Sequence, residues 1–117
     1  MSDSPVRSWQ FYIQDMIGFT EKVLLYTQDL DRLRFATTGL NYDATLRNLE
    51  LIGEVATQVP EAVRAAHPEV PWRLVIATRN RQIHACLGLD NDTLWSIVQT
   101  DVPALLVALR SIPHQKN

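Results

Sequence analysis

The residues best suited to chemistry fall in one run, Arg79, Asn80, Arg81, Gln82, Ile83 and His84. A permanently charged guanidinium and an imidazole that titrates near neutrality are the pair that phosphate chemistry uses. If the phosphate belongs to RNA, a metal-free mechanism is available. The imidazole moves the proton, the guanidinium holds the phosphate oxygens and the developing charge, and the ribose 2′-hydroxyl is the nucleophile. Asn80 lies one turn before His84, where an amide can orient the ring. Arg73 and Arg81 can add contacts to the RNA backbone, and each can equally be a solvated surface charge.

These residues must be placed by a helix, PWRLVIATRNRQIHAC, which Pro71 opens and Gly88 ends. Its core stripe runs through Trp72, Val75, Ile76, Ile83 and Leu87, and position 79 falls on that stripe. An arginine there cannot shed its charge, so it must face a carboxylate, a partner subunit or a phosphate ligand. Glu50 or Glu54 on a neighbouring helix would make it a structural ion pair. His84 has a bland alternative of its own, as a cap for the last carbonyls of the helix. On an ideal helix Arg79 and His84 point about 140° apart. They meet at one phosphate only through the reach of arginine, a distorted helix end, or a second copy of the motif across a symmetric interface, and the last is preferred here.

Other chemistries lack their residues. Three histidines at distant positions, without a carboxylate cluster, predict no metal site. No glycine-rich phosphate loop or serine nucleophile motif is present, and no cofactor is expected. Trp9 and Trp95 fit helix-packing positions better than base-stacking platforms.

The remaining segments predict an all-α fold, an up-and-down bundle of about four main helices with short extra ones. In the first, Trp9, Tyr12, Ile13, Met16, Thr20, Val23, Leu24 and Thr27 recur at steps of three and four. Asp29 to Thr38 is either a short helix or an irregular connection. The next helix has Asn41 as N-cap and an apolar face of Leu46, Leu49, Ile52, Val55, Ala56 and Val59. Pro60 fits the first turn of a short helix, EAVRAAH, that Pro68 ends. Asp90, Asn91 or Asp92 can cap the last helix, buried through Leu94, Ile97, Val98, Val102, Leu105, Leu106 and Leu109. Pro103 inside it predicts a kink near Gln99 to Val102.

A chain of 117 residues, 46% hydrophobic, is long enough for one domain spanning 1–117 with its own core, and residues 1–7 and 112–117 are expected to be loose tails. The single cysteine, Cys86, excludes an intrachain disulfide and suits a reducing cytoplasm. No apolar run approaches a membrane span, and the start has no signal-peptide pattern, so a cytoplasmic protein without membrane contact is expected. A net charge of −2 argues against coating nucleic acid by bulk charge and leaves room for a local basic site.

Taken in order, RNLELIGEVA at 47–56, HPEVPW at 67–72, RNRQIHACLGLD at 79–90 and the following LWSIVQTDVPALL resemble the HepT-like proteins of the HEPN superfamily. The likeness spans nearly the whole chain. It implies an all-helical homodimer with its site at the dimer interface, and a metal-independent endoribonuclease acting as the toxin of a toxin–antitoxin pair whose partner is a minimal nucleotidyltransferase. Arg79 and His84 take the positions of the family's catalytic arginine and histidine, and Asn80 that of its usual asparagine. One position departs from the pattern. Where the family commonly carries a tyrosine that the antitoxin modifies with AMP, this chain has Cys86, which lacks the phenol and also fits the core stripe as a small apolar residue. The competing reading is a catalytically silent dimer that binds RNA or a nucleotide for the nucleotidyltransferase.

Overall fold

The structure is a computed structural model and describes residues 8–78 and 91–112. Among the described residues all regular structure is helical, as the periodicity predicts. Helix α1 (Trp9–Thr27) buries Ile13, Met16 and Val23 completely. Thr20 and Thr27 lie on the same buried face because their hydroxyls donate back to the carbonyls of Met16 at 2.6 Å and Val23 at 2.8 Å. Such back-bonding removes the cost of a buried hydroxyl.

The segment left open between helix and irregular connection contains a short helix, α2 (Arg32–Thr37). Asp31 starts it by accepting the N–H of Arg34 at 2.8 Å. Phe35 ties this otherwise charged segment down. It is fully buried, with its ring centroid 5.2 Å from those of both Tyr42 and Trp95.

Helix α3 (Gly39–Ala56) begins earlier than predicted, with Thr38 at the N-cap. Asn41 therefore does not cap its own helix. Its amide donates to the Tyr26 carbonyl at 2.8 Å, satisfying one of the carbonyls that the end of α1 leaves without a helical partner. Leu49, Ile52, Ala56 and the following Val59 are buried as expected, and Leu46 and Val55 are partly buried against them. Thr45 is also fully buried on α3, and among the described residues its hydroxyl has no hydrogen-bond partner. Thr45→Val keeps the shape and removes a desolvated hydroxyl, so it should stabilise the fold by about 1 kcal/mol. A denaturation midpoint that fails to rise would show that the hydroxyl is satisfied.

Pro60 sits at the N-cap of α4 (Glu61–Ala66), one position before the predicted first turn, and Pro71 is the N-cap of α5 (Trp72–Ala77). The loop between them is held at both ends. The Trp72 indole donates to the His67 carbonyl at 2.9 Å, and the Ser111 hydroxyl reaches the Glu69 carboxylate at 3.4 Å. A backbone hydrogen bond, with help from His67, holds the Glu69 carboxyl below the usual carboxylate range.

The last helical run consists of α6 (Asn91–Ser96), a π-helical segment (Ile97–Asp101) and α7 (Val102–Arg110). The predicted kink takes this form. Pro103 has no N–H and its ring would crowd the carbonyl four residues back, so the backbone widens here, and Val102 bonds to Ile97, five residues earlier. Leu94, Val98, Val102, Leu105, Leu106 and Leu109 are buried. Ile112, placed in the loose tail by the sequence, is instead 1% exposed and belongs to the core. Its apolar side chain falls one turn past Leu109 and extends the same buried face.

Helix α1 is the hub, packed along α3 and α7, while α3 also carries α5 and α2. Of the four expected main helices, α1 and α3 are described whole, the last run from Asn91 to Arg110, and the fourth from Trp72 to Ala77.

Candidate functional site

Residues 79–90 lie outside the described residues, and with them Arg79, Asn80, Arg81, His84 and Cys86. The structure does show how the chain is delivered to that run. Thr78, the residue before Arg79, closes α5 with its N–H on the Leu74, Val75 and Ile76 carbonyls. Its hydroxyl donates to Val75 at 2.7 Å and, across to α3, to the Leu49 carbonyl at 3.2 Å. The point of entry is thus pinned to α3. Sequence reasoning did not single out Thr78, although a hydroxyl directly before the arginine, at a helix end, was the available signal.

The two carboxylates named as partners for a buried arginine differ sharply. Glu50 is 8% exposed and immediately follows Leu49, which anchors Thr78, whereas Glu54, one turn on, is exposed. Arg47, also missed by the sequence reading, lies at the i, i+3 position, with its Nη1 4.0 Å from Glu50 Oε1 and its side chain 64% exposed. Arg73 is exposed on α5, as either a nucleic-acid contact or a solvated charge would be. Trp9 and Trp95 are partly buried against the core and act as packing residues.

Two concavities flank the last helical run. A small apolar cleft of about 40 Å3 separates α3 and α5 from the π-helical segment, with Thr78 and Asp101 in its walls and the exposed Leu74 at its edge. A larger groove of about 430 Å3 lies between α1 and the other side of that run, floored by Leu24, Leu25, Pro103 and Leu106, with the Glu21–Arg110 ion pair at its rim. Only the first adjoins the entry to residue 79. Among the described residues no three His, Cys, Asp or Glu side chains converge as a metal ion would require, and no helix is long and apolar enough to cross a membrane.

The profile of the family described as "Ribonuclease HepT-like" matches residues 16–112, from the middle of α1 to the last core residue. The chain belongs to the HepT-like ribonuclease family. Among its relatives, "Probable ribonuclease HepT" of Thermococcus cleftensis is 33% identical over 99 residues, covering 85% of this chain and 90% of that protein. "Putative RNase MJ1380" of Methanocaldococcus jannaschii is 32% identical over 99 residues, covering 85% and 91%. No solved structure matches the chain. The family and the names of these relatives support a nuclease-type enzyme on this all-helical scaffold.

Proposed function

We propose that the protein is a metal-independent endoribonuclease, the toxin of a toxin–antitoxin pair, working in the cytoplasm as a homodimer. The observation that carries this reading is the family match, whose span of residues 16–112 includes the Arg79–His84 segment. Arg79 binds the scissile phosphate, and His84 takes the proton from the ribose 2′-hydroxyl or returns one to the leaving 5′-oxygen. Asn80 orients His84, and Arg73 and Arg81 contact the RNA backbone on either side. The 2′-oxygen bonds to phosphorus as the bond to the 5′-oxygen breaks, so the electrons balance without metal or cofactor.

A shared site resolves the splay of Arg79 and His84 on one helix. The partner in the pair is a minimal nucleotidyltransferase, and with Cys86 in place of tyrosine its inhibition proceeds by complex formation rather than AMP transfer to that position.

Purified protein should cleave single-stranded RNA with excess chelator present. Cleavage that stops in chelator and returns with magnesium would overturn the mechanism. The second reading, a silent binding dimer, is favoured by the loss of the tyrosine, and RNA binding without any cleavage would establish it in place of the first.

A further inference from the structure

We infer that the outward face of α1 is a self-association surface in its own right, on which two copies of this chain pair antiparallel with Gly18 of each at the crossing. The inference does not rest on the ribonuclease reading. Phe11, Gly18 and Leu25 recur at intervals of seven on α1, so they share one stripe, opposite the face that Met16, Val23 and Thr27 bury. Phe11 and Leu25 are each more than half exposed, and a Cβ added to Gly18 would meet nothing within 4 Å. A second helix can therefore approach closely at Gly18, with a large apolar side chain to either side. Because 18 lies midway between 11 and 25, a two-fold axis at Gly18 sets Phe11 of each copy on the partner's Leu25, about 10.5 Å from the crossing. Leu25 is a wall of the groove of about 430 Å3 between α1 and α7, so the Phe11 ring meets an apolar receptacle there. Val107, one helical turn from Pro103 and Arg110 of the same groove, is also more than half exposed.

The polar residues beside the stripe complement one another in the same register. At about 100° per residue, Asp15 and Lys22 fall on one flank of Gly18, and Gln14 and Glu21 on the other. The two-fold sets each flank against its own copy with the direction reversed. Lys22, four residues after the crossing, then lies beside the partner's Asp15, three before it. By the same count Glu21 lies beside the partner's Gln14, whose amide can donate to it. A parallel pairing would carry Phe11 away from the groove and press Lys22 on Glu21, which already holds Arg110. The stripe faces away from α3, on which α5 and Thr78 are held, so this contact is separate from the shared site proposed above.

Disulfide trapping tests the surface, and charge reversal tests the orientation. Gly18→Cys in a Cys86→Ser background fills open space on a helix and should fold. Helix axes 8–10 Å apart leave the two Cα atoms about 4–5 Å apart, within reach of a disulfide. Mild oxidation should link most of the chain into dimers, whereas Leu33→Cys, an exposed thiol on α2, should link far more slowly. In sedimentation equilibrium, Asp15→Lys and Lys22→Asp should each raise the dissociation constant of the contact about tenfold, and the double variant should restore it. A Gly18→Cys chain that links no faster than Leu33→Cys would overturn the inference. A double variant that associates as weakly as the single ones would overturn the antiparallel pairing. Neither measurement reads RNA cleavage, so failure here leaves the ribonuclease reading as it stands.

Discussion

Arg79→Ala and His84→Ala should each lower kcat/KM for RNA cleavage by about 100-fold or more, with the folded state intact. A positioned acid–base group contributes roughly 10²- to 10⁴-fold, and 100-fold corresponds to about 2.7 kcal/mol of transition-state stabilisation. In the proposed mechanism, loss of the guanidinium removes the charge that meets the phosphorane, an effect of similar size. The proposed shared site adds a sharper expectation. When the two variants are co-expressed, about half of the dimers are hybrids, and each hybrid holds one site with both residues intact if Arg79 and His84 come from opposite protomers. About a quarter of the wild-type activity should return. If both residues of a site belong to one protomer, the mixture stays inactive.

Phe35→Ala should produce the largest loss of stability, about 3–5 kcal/mol. Phe35 is fully buried and is the one buried residue of α2, where its ring packs at a tilt against Tyr42 of α3 and Trp95 of α6. Its removal opens a cavity at the junction of three helices, and α2 has too few other apolar contacts to close it. The melting temperature should fall by roughly 12–20 °C. Leu33→Ala, on the same short helix and 72% exposed, should change stability by less than about 0.5 kcal/mol. Equal effects of the two would contradict the packing described for α2.

Periodicity made α1, α3 and the α6–α7 run legible because each buries one face, and burial repeats with the helical pitch. It misplaced the start of α3 because Asn41 is chemically suited to capping, and only the tertiary fold decides that it caps the end of α1 instead. Pro103 announced an irregularity, yet the proline alone does not choose between a bend and a widened π turn. Ile112 was missed because it sits beyond a serine, in a segment with the composition of a tail, and only packing against the core shows it to be the last buried residue. At the site, residue type and spacing propose the arginine and the histidine, both of which lie outside the described residues. The sequence left Glu50 and Glu54 equivalent, one turn apart on one helix, and the difference in their burial is a property of the assembled fold.

Metal-free chemistry at a ribose 2′-hydroxyl is reported directly by the ends of the products. Single-stranded RNA incubated with the protein in excess chelator, then analysed by mass spectrometry, should yield fragments with 2′,3′-cyclic phosphate and 5′-hydroxyl ends. Intact RNA, or fragments with 5′-phosphate ends, would contradict it.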